Sequence, residues 1–263
     1  MATGPTASGP SPSGSPASGA APSGALSREP VLIGCSHGTD SVDGRLAIAS
    51  ILTDVRAARP GLEVRAAFVD LQSPAVADAV AAVVGQGRAA VVVPLLLSGG
   101  FHVHVDIAAA VASDRAVDDH LAVATAPLGP DARLVRMLVD RLVAAGAAPD
   151  DAVVLAAAGS TDPRAAVAVD EVAAALRAAW PDGPITVGYG SGSTPRVPDA
   201  VVAARAAGAR RVVIASYLLA PGFFLDRLHQ AGADIVTAPL APDPLLAQIV
   251  LDRYDAGAAQ LGT

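Results

Sequence analysis

Apolar and polar positions alternate along the chain in blocks that predict strands followed by helices. Short apolar runs typical of buried strands occupy residues 31–35, 62–70, 91–97 and 120–126. Each run ends in a polar or glycine-rich break. Ala- and Val-rich segments follow, with apolar residues three and four apart, which is typical of amphipathic helices. The predicted helices begin near Leu46, Pro74, Asp106 and Asp131. Strands that alternate with helices in this way predict a parallel sheet covered by helices on both faces.

The second half of the chain repeats this pattern at an offset of about 121 residues. The loop with His37 and Gly38 recurs at Ala158 and Gly159, and FVDLQSP recurs as YGSGSTP. An offset that holds across three loops indicates an internal duplication. The fold class is therefore α/β, with two similar lobes that each contain a four-stranded parallel sheet flanked by helices. We assign residues 29–147 and 148–263 to the lobes, and residues 1–28, rich in Ala, Ser, Gly and Pro, to a disordered tail.

Three residues that could bind a metal follow three different strands of the first lobe, namely His37, Asp70 and His102. We expect them to lie close together, because open parallel sheets bind ligands at the carboxyl ends of their strands. Two imidazoles and a carboxylate suit Fe(II), Co(II), Ni(II) or Zn(II), and three ligands leave coordination positions open. Their counterparts in the second half are Ala158, Ser191 and Phe224. This joint loss predicts one metal site, in the first lobe.

Other interpretations of these residues stay open. His104 is a possible fourth ligand, a proton shuttle or a surface residue, and a His-x-His pair with His102 can equally line or cap a loop. Ser36 beside His37 raises the possibility of a hydrolase, but the chain has no G-x-S-x-G nucleophile elbow. The alternating glycines at 188–192 have neither Rossmann nor P-loop spacing. They more readily let a bulky ligand or the other lobe approach the backbone.

Composition narrows the function further. The net charge of −7, without a basic stretch, argues against nucleic-acid binding. No apolar run approaches the roughly 20 residues that span a bilayer, so we expect no membrane association. Cys35 is the single cysteine, which excludes an intramolecular disulfide and favours a cytoplasmic location.

Three segments, CSHGTDSVDG, FVDLQSP and VVVPLLLSGGFHVHVDI, resemble motifs of the sirohydrochlorin chelatases of the CbiX and SirB type. These are class II chelatases, more distantly related to protoporphyrin ferrochelatase. The resemblance covers about residues 31 to 255. It implies a lyase that inserts Fe2+ or Co2+ into sirohydrochlorin, an octacarboxylate tetrapyrrole, for siroheme or cobalamin biosynthesis. It implies no tightly bound cofactor, because the metal is a substrate, and one two-lobed chain makes a monomer sufficient.

The resemblance also suggests site residues. His37 and His102 match the family's metal-binding histidines, and we expect them to hold the metal and accept the pyrrole protons. Asp70 falls where the family more often has a glutamate, and it would orient the pair or complete the ligand set. Candidate contacts to the substrate and its carboxylates are Arg45, Ser41, Ser98, Gly99, Gly100 and Ser191.

Two rival functions accompany the chelatase hypothesis. A noncatalytic metal or tetrapyrrole carrier would share the fold. A chelatase could also act on another tetrapyrrole, such as a coproporphyrin, although an aromatic content of 3% favours a polar macrocycle. The ligand set does not distinguish iron from cobalt, since both accept imidazole with carboxylate.

Overall fold

The structure, a computed structural model, describes residues 29–100, 106–112 and 121–261, together with Met1 and Gly4. The rest of the predicted tail lies outside the described residues, as do His102 and His104. No helix in the described part of the chain is long and apolar enough to cross a membrane.

The first half contains a parallel sheet with strand order β2-β1-β3-β4. Strands β1 and β3 are buried along their whole length, as expected for strands that are apolar except for Ser36 at the end of β1. The elements are β1 (Val31–Ser36), α1 (Val42–Ala58), β2 (Val64–Phe68), α2 (Val76–Val84), β3 (Ala90–Pro94), α3 (Ala108–Ala112), β4 (Ala122–Ala124) and α4 (Ala132–Ala144).

The second half has the same topology, with strand order β6-β5-β7-β8, all parallel. Its elements are β5 (Ala152–Ala157), α5 (Pro163–Ala179), β6 (Ile185–Tyr189), α6 (Val197–Ala206), β7 (Val212–Tyr217), α7 (Phe223–His229), β8 (Ile235–Val236) and α8 (Pro244–Leu261). Two four-stranded parallel sheets of one topology confirm the predicted fold class.

Two predicted helix boundaries were wrong. Helix α2 begins at Val76 rather than at Pro74, because the residues before it pair with the end of β2. The Pro74 carbonyl accepts a 3.0 Å hydrogen bond from the Phe68 N–H, and Phe68 and Ala75 form an isolated parallel bridge. The spacing of apolar residues also predicts a last helix from Pro244 to Tyr254, but helix α8 continues to Leu261.

The last helix of each half covers the sheet of the other half. Helix α4 packs against α5 and β7, whereas α8 packs against α1, β3 and β4. The approach of α8 is close: a Cβ added at Gly257 would lie 2.6 Å from Val91 Cγ1 and 2.7 Å from Thr125 Cγ2. The Tyr254 hydroxyl donates a 2.7 Å hydrogen bond to the Pro30 carbonyl. One apolar core therefore extends through both halves.

This close packing makes Gly257 sensitive to size. We expect Gly257→Leu to lower the free energy of unfolding by about 2 kcal/mol, because the new side chain overpacks the contact between α8 and the first sheet. Urea unfolding of the full chain measures the loss. Ala259→Leu, at an exposed position of the same helix, is the matched control and should change little. Equal stability of the two variants would contradict the tight contact.

A buried carboxylate lies at the start of the second sheet. Asp151 accepts hydrogen bonds from Arg211 Nε at 3.0 and 2.9 Å and from the Ala148 N–H at 2.7 Å. The guanidinium of Arg211 is the main reason that the pKa of Asp151 lies below its ordinary value of 3.8. The side chain of Asp151 is 8% exposed, whereas that of Arg211 is 40% exposed, and the pair links the start of β5 to the start of β7.

This pair should contribute to the acid sensitivity of the fold. A carboxylate with a lowered native pKa stabilises the protein above the unfolded-state pKa, and this contribution is lost as the pH falls through the native pKa. We expect Asp151→Asn to be less stable than wild type at about pH 6 and to approach it at about pH 3. Urea unfolding at both pH values tests this, with Asp182→Asn at an exposed site as the control. A deficit independent of pH would contradict the ionic role of Asp151.

Candidate functional site

A cavity of about 1350 Å³ lies between the two sheets, at the carboxyl ends of their strands. In the first lobe it is lined by the segments after β1, β2 and β3, and in the second by the segments after β5, β6 and β7. The duplication places corresponding loops on the two sides of the cavity. A ligand in it would therefore contact both lobes.

Contacts between the lobes border this cavity. A Cβ added at Gly44 in α1 would lie 2.6 Å from the Pro221 carbonyl oxygen of the second lobe. A Cβ added at Gly100 of the first lobe would lie 3.1 Å from Ser160 Oγ of the second. The two lobes thus meet along the loops that bound the cavity.

A partly buried hydrogen bond also joins the lobes. The hydroxyl of Tyr217, at the end of β7, donates to the Leu97 carbonyl of the first lobe at 3.0 Å. Burial, with a smaller contribution from Asp131, raises the pKa of Tyr217, so the phenol stays protonated and remains a donor.

His37 directly follows β1 and lines the cavity, where its side chain is exposed. Its carbonyl accepts a 3.0 Å hydrogen bond from the Asp70 N–H. Gln72 Oε1 accepts a 3.0 Å hydrogen bond from the Thr39 N–H two residues further on. Gly38 has φ +95°, and a Cβ there would clash with the Asp70 carbonyl oxygen. The imidazole therefore stands on a loop that is fixed by the segment after β2.

Asp70 reaches this loop through its backbone. Its carboxylate Oδ1 accepts a 2.8 Å hydrogen bond from the Leu71 N–H, and its side chain is exposed. Asp70 is not among the described residues that line the cavity. Within residues 29–100, 106–112 and 121–261, no group of three or more His, Cys, Asp or Glu is arranged to hold a metal ion. His102, the expected partner of His37, is not among those residues.

Most of the expected substrate contacts line the cavity, namely Arg45, Ser41, Ser98, Gly100 and Ser191, whereas Gly99 does not. Ser41 accepts a 3.1 Å hydrogen bond from the Gly44 N–H and so caps α1. Arg45 donates from Nε to the Thr39 carbonyl at 2.8 Å and forms a 3.6 Å ion pair with Asp40. The Ser191 hydroxyl donates to the Ala158 carbonyl at 3.1 Å, which occupies its one proton.

The loop after β5 in the second lobe has the same backbone conformation as the His37 loop, but it carries no imidazole. Ser191 N–H donates to the Ala158 carbonyl at 2.8 Å, and Gly159 has φ +86°. The hydroxyls of Thr39 and Ser160 also correspond, since each accepts a hydrogen bond from the N–H two residues later, at 3.2 and 3.1 Å. The duplicated frame has thus been kept, while the imidazole and the carboxylate are present in the first lobe alone.

The aromatic residues gather at the cavity. Of the seven aromatic residues in the part of the chain that the structure describes, five line it, namely Phe68, Tyr189, Tyr217, Phe223 and Phe224. The aromatic content of 3% did not indicate this clustering, because a percentage averages over the whole chain. The one sequence signal was the repeat offset, which aligned Phe224 with His102.

Fold and cavity together define a duplicated α/β protein whose lobes enclose one large ligand site. The CbiX family model matches residues 31–145 and again residues 152–256, one match in each half. The chain therefore belongs to the CbiX family.

Solved structures show the same fold at low sequence identity. SirB from Bacillus subtilis with Fe3+ has a TM-score of 0.73 and 22% identity, over 88% of this chain and 96% of that one. SirB from Bacillus subtilis subspecies spizizenii, a sirohydrochlorin chelatase in complex with cobalt, has the same TM-score and coverage at 20% identity. CbiX, the terminal enzyme of siroheme biosynthesis in denitrifying bacteria, has a TM-score of 0.58 and 17% identity, over 86% of this chain and 98% of that one. No curated protein sequence matches the chain.

Proposed function

We propose that this protein is a sirohydrochlorin chelatase, a lyase that inserts Fe2+ or Co2+ into the tetrapyrrole for siroheme or cobalamin biosynthesis. The cavity is the observation that carries the proposal. Its volume of about 1350 Å³ exceeds the roughly 300–1,000 Å³ of ordinary small-molecule pockets, and it combines an imidazole with aromatic walls. A large, flat ligand that needs a base and a metal ligand on one side matches this combination. The structural relatives SirB and CbiX support the assignment through their fold.

Metal insertion requires that two pyrrole N–H protons leave and that the metal exchange its water ligands. A neutral imidazole can accept such a proton or bind the incoming metal. We assign this chemistry to His37, which stands at the cavity, and from the sequence motif to His102. For Asp70 the sequence left two roles open, which are to orient the histidines or to complete the metal ligand set. We assign it the orienting role, because its backbone N–H holds the His37 loop while its carboxylate accepts a hydrogen bond from the Leu71 N–H.

The carboxylates of the macrocycle need hydrogen-bond donors, and we assign these among the cavity residues. Arg45 supplies a cation at the start of α1. Thr39 and Ser160 each accept a hydrogen bond from a backbone N–H. Neither hydroxyl donates a hydrogen bond to another described residue, so both can donate to a ligand. Ser41 and Ser98 remain candidate donors, and Gly100 lets the ligand approach the backbone. Ser191 is not assigned as a donor, because its hydroxyl proton already bonds the Ala158 carbonyl.

The experiment that tests this function is anaerobic metallation of sirohydrochlorin, followed by absorbance, with Fe2+ and Co2+ in parallel. We expect the protein to raise the rate above that of the spontaneous reaction, and the faster metal indicates the pathway. A parallel assay with coproporphyrin tests the alternative substrate. A rate equal to the spontaneous one would overturn the enzyme assignment, and tight binding of metal or tetrapyrrole without acceleration would identify a carrier.

A further inference from the structure

Two adjacent phenylalanines begin helix α7 and line the cavity from the second lobe. The ring centroids of Phe223 and Phe224 are 5.6 Å apart, with an interplanar angle of 72°. The guanidinium carbon of Arg227, one turn further along α7, lies 5.5 Å from the Phe223 ring centroid. These contacts give the pair a defined edge-to-face arrangement.

The pair is more exposed than packing alone would require. Phe223 is 67% exposed, and Phe224 is partly buried against the apolar cluster of the second lobe. Large aromatic surface left open inside a concave site is a sign of a ligand or partner. Because both residues line the cavity, a ligand there can cover this surface.

The backbone facing Phe224 leaves room for its ring. A Cβ added at Gly190 would lie 2.7 Å from Phe224 Cδ1 and 3.1 Å from Cε1. Glycine at 190 therefore permits the observed ring position, and any side chain there would displace the ring.

Phe224 also occupies an informative position in the duplication. It corresponds to His102, while Ala158 and Ser191 correspond to His37 and Asp70. Ala158 and Ser191 are smaller than their counterparts, whereas residue 224 carries a large ring. The second lobe has therefore exchanged a polar group for a flat apolar surface on its side of the same cavity.

We propose that Phe224, with Phe223 beside it, is the surface on which the tetrapyrrole stacks, and that it positions the macrocycle relative to His37. The inference rests on the proposed function, since it takes the macrocycle as the ligand. The two lobes then have different roles. The first supplies the imidazole, and the second binds the π face of the macrocycle. Phe224 acts as a substrate-positioning residue that determines affinity for flat macrocycles.

Equilibrium binding of metal-free sirohydrochlorin to the full-length protein, followed by absorbance or fluorescence, tests the proposal. We expect Phe224→Ala to raise Kd about tenfold, as loss of a stacking partner does elsewhere. Phe224→Leu keeps apolar volume without a π face and should also raise Kd. Phe224→Tyr keeps the aromatic ring, so its Kd should stay close to that of the wild type. Val202→Ala, at an exposed position outside the cavity lining, is the control for truncation of an apolar side chain.

A double-mutant cycle with Gly190→Ala makes the test specific. By itself, Gly190→Ala should raise Kd severalfold, because it displaces the Phe224 ring without removing it. In the Phe224→Ala background the same substitution should have almost no further effect, since there is no ring to displace. Thermal unfolding of each variant shows that the compared proteins are folded.

Each result separates the stacking role from the chelatase function. Wild-type affinity in Phe224→Leu, or an undiminished effect of Gly190→Ala in the Phe224→Ala background, would overturn the stacking role while leaving chelatase activity in place. Binding that follows the expected pattern without accelerated metallation would support stacking and overturn the chelatase. Failure of the wild type to bind sirohydrochlorin would overturn both.

Discussion

Replacing His37 with alanine is expected to lower the rate of metal insertion by about a hundredfold or more, the size of effect typical for loss of a positioned general base. His37 directly follows β1 and faces the cavity from a loop that Asp70 and Gln72 fix in place. Its removal would leave the metal without this ligand and the pyrrole protons without this acceptor. Substrate binding should change much less, because the aromatic wall and the hydroxyl donors remain.

Single-turnover metallation with Fe2+ and Co2+, together with the Kd for the metal-free macrocycle, measures this expectation. His229→Ala is the matched control, since His229 ends α7 at an exposed position away from the cavity lining. The free energy of unfolding of both variants should lie within about 0.5 kcal/mol of the wild-type value, as is usual for substitutions at exposed positions. Equal loss of rate in the two variants, or wild-type rate in His37→Ala, would contradict the role assigned to His37.

Gly38→Ala is expected to lower the free energy of unfolding by about 3 kcal/mol and to remove most of the activity of the molecules that still fold. Two costs combine at this position. The backbone has φ +95°, which is unfavourable for alanine, and a Cβ would clash with the Asp70 carbonyl oxygen. The relief of that clash must move the loop that carries His37.

Two other glycines separate these costs. Gly87 has φ +68° with open space around it, so Gly87→Ala should lose only the backbone contribution of about 1 kcal/mol. Gly159 has φ +86° and would clash with the Ser191 carbonyl oxygen, so Gly159→Ala should lose as much stability as Gly38→Ala. Because its loop carries Ala158 instead of an imidazole, its folded fraction should keep more activity. Urea unfolding and metallation of the three variants compare these effects, and equal stability of Gly38→Ala and Gly87→Ala would exclude a significant clash.

The low aromatic content supported a polar macrocycle at the level of sequence, but it says little about the walls of the cavity. The structure places five of the seven described aromatic residues there. The strand ends that form the cavity come from distant parts of the chain, and residues such as Phe68 and Tyr217 line the same cavity only after both sheets have formed. A whole-chain percentage cannot detect such a concentration.

Local sequence determined the order of strands and helices, the duplication and the position of His37 after a buried strand. Hydrophobic periodicity and turn residues act over a few positions, so they can be recognised without a structure. The ends of helices were harder to predict from sequence. Helix α2 begins later than its sequence indicates, because the Pro74 carbonyl accepts a hydrogen bond from the Phe68 N–H of β2. The family resemblance rested on the same local segments and agrees with the CbiX match over both halves.

Tertiary structure alone decided which surfaces face each other. The exchange of α4 and α8 between the sheets depends on packing between residues more than 100 positions apart, such as Val91 and Gly257. The direction of the Asp70 carboxylate depends on a competing donor, the Leu71 N–H, which no spacing rule reveals. The aromatic wall likewise arises because the duplication brings the end of β7 and the start of α7 opposite the His37 loop. Sequence thus determined what each segment forms, and long-range packing determined what the segments form together.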